Sequence, residues 1–194
     1  MHRSEIHPLE PFLPENAKVL ILGSFPPPKA KWKMDFYYPN FQNDMWRIFG
    51  EVFFGDMNYF LTADKKLFDK EKLIGFLAEK GIAVSDTAHE VIRLKGNASD
   101  SSLEVLKPMD LQSVLQKIPH CRVMVTTGEK ATEILRSLLP DLTSAPKIGT
   151  FVETEIYNKK LAFYRLPSSS RAYPKPLIEK AKIYGSFFKE IGLL

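Results

Sequence analysis

Apolar and polar positions alternate along this chain in blocks that change period. Lys18–Gly23, KVLILG, is a short apolar run ending at glycine and predicts a first buried strand. Between Asn43 and Phe54 the apolar residues Met45, Ile48, Phe49, Val52 and Phe53 recur at helical spacing. Ala63–Gly81 reads as a helix stopped by glycine. Ile82–Asp86 predicts a second strand, and Asp110–Ile118 a helix with an aspartate near its start and Pro119 at its end. Arg122–Gly128 predicts a third strand that turns into the helix EKATEILRSLL. FVETEIYNKKLAFYRLP holds two β-like runs around Asn158-Lys159, a hairpin whose second half supplies a fourth buried strand. KPLIEKAKIYGSFFKEIG predicts the last helix. The expected architecture is α/β: a three-layer sandwich with a central, mostly parallel four-stranded sheet flanked by helices, in one domain over residues 1–194.

In open parallel sheets ligands bind at the carboxyl ends of the strands. Four segments therefore converge: GSFPP after the first strand, SDTAHE after the second, TTG after the third and PSSSRAYP after the fourth. Neither a GxGxxG nor a GxxxxGK[ST] phosphate loop is present, and Gly23-Ser24 lacks the pattern of a nucleophile elbow. The first loop carries Ser24, Phe25 and three prolines from Pro26, which hold the backbone extended. Phe36, Tyr37 and Tyr38 offer rings, and Asn40, Gln42 and Asn43 offer amides, the mix a planar heterocycle needs on its faces and its edge. Rings in such a loop also pack simply against the next helix, which is the expectation for Trp46. Ser168, Ser169 and Ser170, ahead of a helix beginning near Pro174, suit a phosphate or a helix cap, and Arg171, Tyr173 and Lys175 add charge and a ring.

Charge sharpens this picture. The net charge is +4, but residues 156–194 carry eight Lys/Arg against two acidic residues, +6, which leaves −2 for the rest. A basic C-terminal fifth fits a cationic face for nucleic acid, or a solvated lysine-rich helix. The single cysteine, Cys121, reads as a small strand-end residue, and no zinc-type spacing joins it to the four histidines, so no metal is expected. No apolar run is long enough for a membrane span and the start has no secretory h-region, which points to a reducing cytoplasm.

The chain resembles the uracil-DNA glycosylase superfamily, most closely its hypoxanthine/uracil (family-6 type) branch. LGSFP is similar to the first-strand motif, and FYYPNFQNDMW to that branch's Tyr-Tyr, Pro and Asn-x-[FM]-Trp segment. GIAVSDTAHEVIRLKGNASDSSLEVLKPMDL resembles its middle segment, and VTTGEKA and LPSSSRA its third-strand and second-motif loops. The likeness runs from about His7 to the last helix, with the motifs in order.

The resemblance implies a monofunctional glycosylase that hydrolyses the N-glycosidic bond of a deaminated base, uracil or hypoxanthine, in DNA. It implies no cofactor and no metal; no membrane partner is expected, and nothing in the sequence demands more than a monomer. Many branches place a catalytic Asp or Asn two residues after the first glycine; here that residue is Phe25. By the hypoxanthine-branch match Asn43 carries catalysis, with Asn40 its nearest rival and Asp35 and Asp44 as acidic neighbours. Gly23, Ser24, Phe25, Pro26, Asp35, Phe36, Tyr37, Tyr38, Asn40, Thr127 and Gly128 form the implied base pocket. Ser168, Ser169, Ser170, Arg171 and Lys175 form the implied DNA grip. Thr127 stands where relatives often carry Asn, and Arg171 and Tyr173 where they carry Pro and Asn. His89 is an ordinary surface histidine or a residue of the pocket mouth, and Asp100 a turn residue. Two other readings share these residues: a damage-recognising DNA-binding protein without chemistry, and a hydrolase of free nucleosides or nucleotides.

Overall fold

Every residue of Val19–Gly23 (β2) is buried, because it pairs in parallel with a strand on each side and is covered on both faces. The structure, a computed structural model, describes residues 3–94 and 102–194. Ile82–Asp86 (β3) and Val123–Thr127 (β6) flank β2, Lys159–Leu166 (β8) extends the parallel sheet, and Thr150–Ile156 (β7) closes that edge antiparallel. Among the described residues the central sheet thus has five strands in the order β3-β2-β6-β8-β7, four of them parallel, where the sequence predicts a four-stranded sheet. The added strand is the first half of the expected hairpin. Its seven residues pair along β8 from Thr150↔Arg165 to Ile156↔Lys159. The two-residue turn, Tyr157-Asn158, takes left-handed backbone at φ 53° and 60°, a geometry that matches the twist of the strands it joins.

A second sheet was not expected. Ser4–Ile6 (β1), Ala88–Arg93 (β4) and Leu103–Pro108 (β5) form an antiparallel sheet in the order β1-β4-β5. It hides in the sequence because its strands are short and charged on one face, while Ala88, Val91, Leu103 and Val105 pack inward, on Phe25 and Ile134. Asp100, expected as a turn residue, lies outside the described residues.

Five α-helices among the described residues complete the layers. Met45–Phe54 (α1), Lys70–Lys80 (α2) and Leu177–Glu190 (α5) cover one sheet face through Trp46, Phe49, Phe76, Phe188 and their neighbours, packed on Val19, Ile21 and Val84. Leu111–Lys117 (α3) and Glu129–Ser137 (α4) cover the other through Val114, Leu115 and Leu135, packed on Leu20, Leu22 and Met124. α2 is shorter than the periodicity predicts. Asp69 caps it by accepting the Lys72 N–H at 3.1 Å, and the preceding residues fold back through a Leu61–Phe68 bridge and a left-handed Lys65. α5 likewise starts at Leu177, after Pro176, rather than near Pro174. Cys121 is buried beside the sheet, and that burial raises its thiol pKa.

Gly50 lies buried inside α1, where alanine would ordinarily gain about 1 kcal/mol. Here a Cβ would run into the backbone carbonyl of Asp56, whose N–H donates to the Gly50 carbonyl at 3.2 Å. Gly50→Ala should therefore destabilise the protein by about 1–3 kcal/mol, read as a lower urea midpoint; a raised midpoint would show that the turn after α1 yields.

Candidate active site at the carboxyl ends of the strands

Parallel register brings the strand ends to one level. Gly23 stands opposite Asp86 across β2 and β3, Leu22 opposite Thr126, and Thr127 opposite Leu166. The candidate site is the group of side chains carried at this level, the rim of the sheet.

At its floor, the Asp86 carboxylate lies over Gly23. A Cβ at residue 23 would collide with Asp86 Oδ1 and come within 3.0 Å of the Tyr38 hydroxyl, so glycine is required by close approach rather than by backbone angle. The other carboxylate oxygen, Oδ2, is 2.9 Å from His7 Nε2. His7 is itself fixed: Nδ1 lies 2.9 Å from the Leu9 carbonyl and 3.2 Å from its N–H, and its ring stacks on Tyr37 and meets Phe25 edge-on. Asp86 and His7 are both nearly buried at the side chain. Neither was singled out as a site residue from sequence. The pair joins residues 79 positions apart; the only local signal was the placement of Asp86 at the end of a buried strand.

Tyr38 forms the next part of the wall. It takes a left-handed backbone, φ 48°, and is half-buried at the edge of the cluster that holds its two predecessors. Its hydroxyl is 2.8 Å from Thr127 Oγ1, and its ring meets Trp46 edge-on. Phe36 and Tyr37, by contrast, lie in the core. Tyr37 donates its hydroxyl to the Glu10 carbonyl at 3.1 Å, and burial, aided by the Asp86 charge, raises its pKa. These two rings support the site from beneath rather than line it. Trp46 is buried too, its Nε1–H donating to the Tyr37 carbonyl at 2.9 Å.

Beyond Thr127, Gly128 caps α4 and faces Ser168, whose Cβ would sit 3.7 Å from an added side chain. The serine loop is pinned to the segment before α1. The Asp44 N–H donates to the Ser169 carbonyl at 2.8 Å, and the Arg171 N–H donates to the Gln42 carbonyl at 2.9 Å, bracketing a bridge between Asn43 and Ser170. Asn43 is half-buried on this rim. Its Oδ1 accepts the Met45 N–H at 3.0 Å, which orients the amide so that its NH2 is the end available to a ligand. Asn40 points its Oδ1 back to the Gln42 N–H, a local turn contact. Ser24 and Phe25 are buried behind the rim, Pro26 accepts from Arg93, and Asp35 is exposed beside Lys29.

The expected phosphate grip is only partly disposed for that task. Arg171 turns its Nε–H onto buried Asp44 at 2.9 Å, although the side chain remains 45% exposed. Lys175 pairs with Glu179 at 3.5 Å on the surface. Sequence reasoning missed Lys180, which is 1% exposed and donates to the Ser170 carbonyl at 2.7 Å. Burial is the main influence lowering the pKa of Lys180 and of Arg47; Arg171 adds to it and Asp44 opposes it. Arg47, Arg171 and Lys180 thus gather around one carboxylate, giving the rim beside Asn43 a net positive charge. His89 is exposed outside the rim. No group of three or more potential metal ligands occurs among the described residues, and no helix of theirs is long and apolar enough to cross a membrane. A separate cavity of about 470 Å³ on the β7–β8 hairpin, lined by Glu153 and Glu155, lies away from the strand ends.

The chain matches no family model, and no curated protein matches it. Its fold is similar to a solution NMR structure from Methanosarcina acetivorans, named a "putative Uracil DNA glycosylase", with a TM-score of 0.61 and 23% identity. The match covers 94% of this chain and 97% of that one.

Asp44→Asn should leave the three cations unbalanced. Because Arg171 is half in solvent, the loss should be about 2 kcal/mol, less than for a fully buried pair. Thermal melts would register it, and added Lys180→Met should recover part of the loss; unchanged melting would show that solvent already screens the cluster.

Proposed function

We propose that the protein is a DNA glycosylase that hydrolyses the N-glycosidic bond of a deaminated base. The observation that carries this reading is the acceptor-only Asp86 carboxylate on the pocket floor, held by His7 and set beside the Tyr38 hydroxyl. Deamination of cytosine to uracil turns ring N3 from an acceptor into an N–H donor, and deamination of adenine to hypoxanthine does the same at N1. A carboxylate accepts a hydrogen bond from the new N–H and meets the lone pair of the undamaged base with repulsion. The site therefore reads the one polarity that both deaminations share.

A base can reach this floor only when extruded from the stack, and Tyr38 supplies a ring on the wall it would enter along. Departure of the base builds positive charge on the sugar and negative charge on the base. The Asn43 amide NH2 and the hydroxyls of Tyr38 and Thr127 are fixed dipoles that can stabilise the base or hold the attacking water. The hydrogen bond from His7 spreads the Asp86 charge and lessens its repulsion toward the departing base. The net positive rim beside the serine loop favours the phosphates on either side. The similarity in fold to the Methanosarcina acetivorans protein supports the same reading.

Oligonucleotides with one uracil or one deoxyinosine, treated with alkali to reveal abasic sites, test it. The protein should cleave at one lesion or both and spare cytosine and adenine. Asn43→Ala should slow excision by about 10²- to 10³-fold, and Asp86→Asn by at least about tenfold while narrowing the preference for the damaged base. Tight, salt-sensitive DNA binding with no base released from either lesion would contradict the proposal.

A further inference from the structure

The proline run of the first loop has a second face. Arg3, Glu5, Pro8, Phe25, Pro28 and Trp32 border a groove of about 730 Å³ between β1 and the extended segment 26–28, a size within the range of small-ligand sites. Phe25, on this groove, meets His7 edge-on with ring centroids 5.1 Å apart, and His7 in turn holds Asp86 at the candidate site, so these residues join the two. Trp32 is half-buried, and its Nε1–H donates to the Pro27 carbonyl at 2.8 Å, which fixes the ring as one wall. Lys29 Nζ stands 5.3 Å from the centre of that ring. Its pairing with Asp35, at 3.9 Å between two largely exposed side chains, is weak and easily exchanged for another anion. Arg3 is exposed on the groove's border. Arg93 is engaged as structure, binding both Glu5 oxygens and the Pro26 carbonyl, so that Arg3, Lys29 and Arg93 against Glu5 leave the groove positive.

Resting on the glycosylase reading above, we infer that this groove seats a nucleotide neighbouring the extruded one on the same strand, its base against Trp32 and its phosphate between Lys29 and Arg3. A ring wall with cations at its edge is a sequence-tolerant site for an unpaired base. The His7–Phe25 contact that joins the two sets it one step from the pocket, so one continuous strand can fill both.

The test uses single-stranded oligonucleotides carrying the excised lesion, trimmed one nucleotide at a time on either side, with affinity read by fluorescence anisotropy. Trimming on one side should weaken binding by about tenfold. Trp32→Ala should remove that difference and leave the trimmed oligonucleotide bound as before, while Trp32→Phe, which keeps a stacking face, should retain most of it. Lys29→Gln should lower the salt dependence of the long oligonucleotide by about one unit of slope. Excision at saturating DNA should stay unchanged in all three. If the wild type excises the base but Trp32→Ala and Lys29→Gln bind long and trimmed strands in its ratio and with its salt slope, the groove assignment is overturned and the glycosylase reading stands. If the wild type binds no oligonucleotide, both are overturned.

Discussion

The parallel pairing of β2 between β3 and β6 is the constraint from which the site follows. With Gly23 opposite Asp86 and Leu22 opposite Thr126, three strands deliver a glycine, a carboxylate and a hydroxyl to the same level. A slip of one residue along either partner would turn Asp86 or Thr127 to the opposite face of the sheet. The burial of all five residues of both β2 and β3 makes such a slip costly. The aromatic layer of Trp46, Phe49 and Phe188 does not touch the chemistry directly, but it holds α1 against the sheet, and α1 begins at the Asn43–Asp44 segment that meets the serine loop.

Polar contacts then connect the floor to the rim. His7 orients Asp86, Tyr38 meets Thr127, and Asp44 gathers Arg47, Arg171 and Lys180. The buried groups of these contacts, Asp44, Asp86 and Lys180, each have a partner, as burial demands. Much of the positive charge expected on the DNA-facing surface is therefore spent holding the serine loop in place. That division explains why Arg171 and Lys180 matter although neither projects fully into solvent.

The strands that end at the site were legible because continuous burial leaves continuous apolar sequence: VLIL in β2 and IAV in β3. The three-layer arrangement followed from the helical spacing of Ile48, Phe49 and Val52 and from Asp110 at the start of α3, whereas the Asp69 cap lies inside the longer helix that the periodicity predicts. β1, β4 and β5 were not legible, since short strands with Glu5, Glu90, Glu104 and Lys107 exposed or half-exposed carry little apolar alternation. Within the first loop the sequence offered three adjacent rings, and only the tertiary structure separates half-buried Tyr38, with its hydroxyl on Thr127, from the core pair Phe36 and Tyr37. The His7–Asp86 contact had no local signature beyond the place of Asp86 at a strand end, because a pair so distant in the chain is fixed by the register of the sheet and the path of the N-terminal segment.

Asp86 as the reader of the deaminated edge is the centre of this account. The most direct measurement is a crystal structure of Asn43→Ala bound to an oligonucleotide containing the base it excises most slowly in that background. The account predicts an extruded base with its ring N–H about 2.7–3.1 Å from Asp86 Oδ1, and the Tyr38 ring along its path. A base seated elsewhere, with Asp86 still closed over Gly23 and no ligand atom within hydrogen-bond reach, would contradict it.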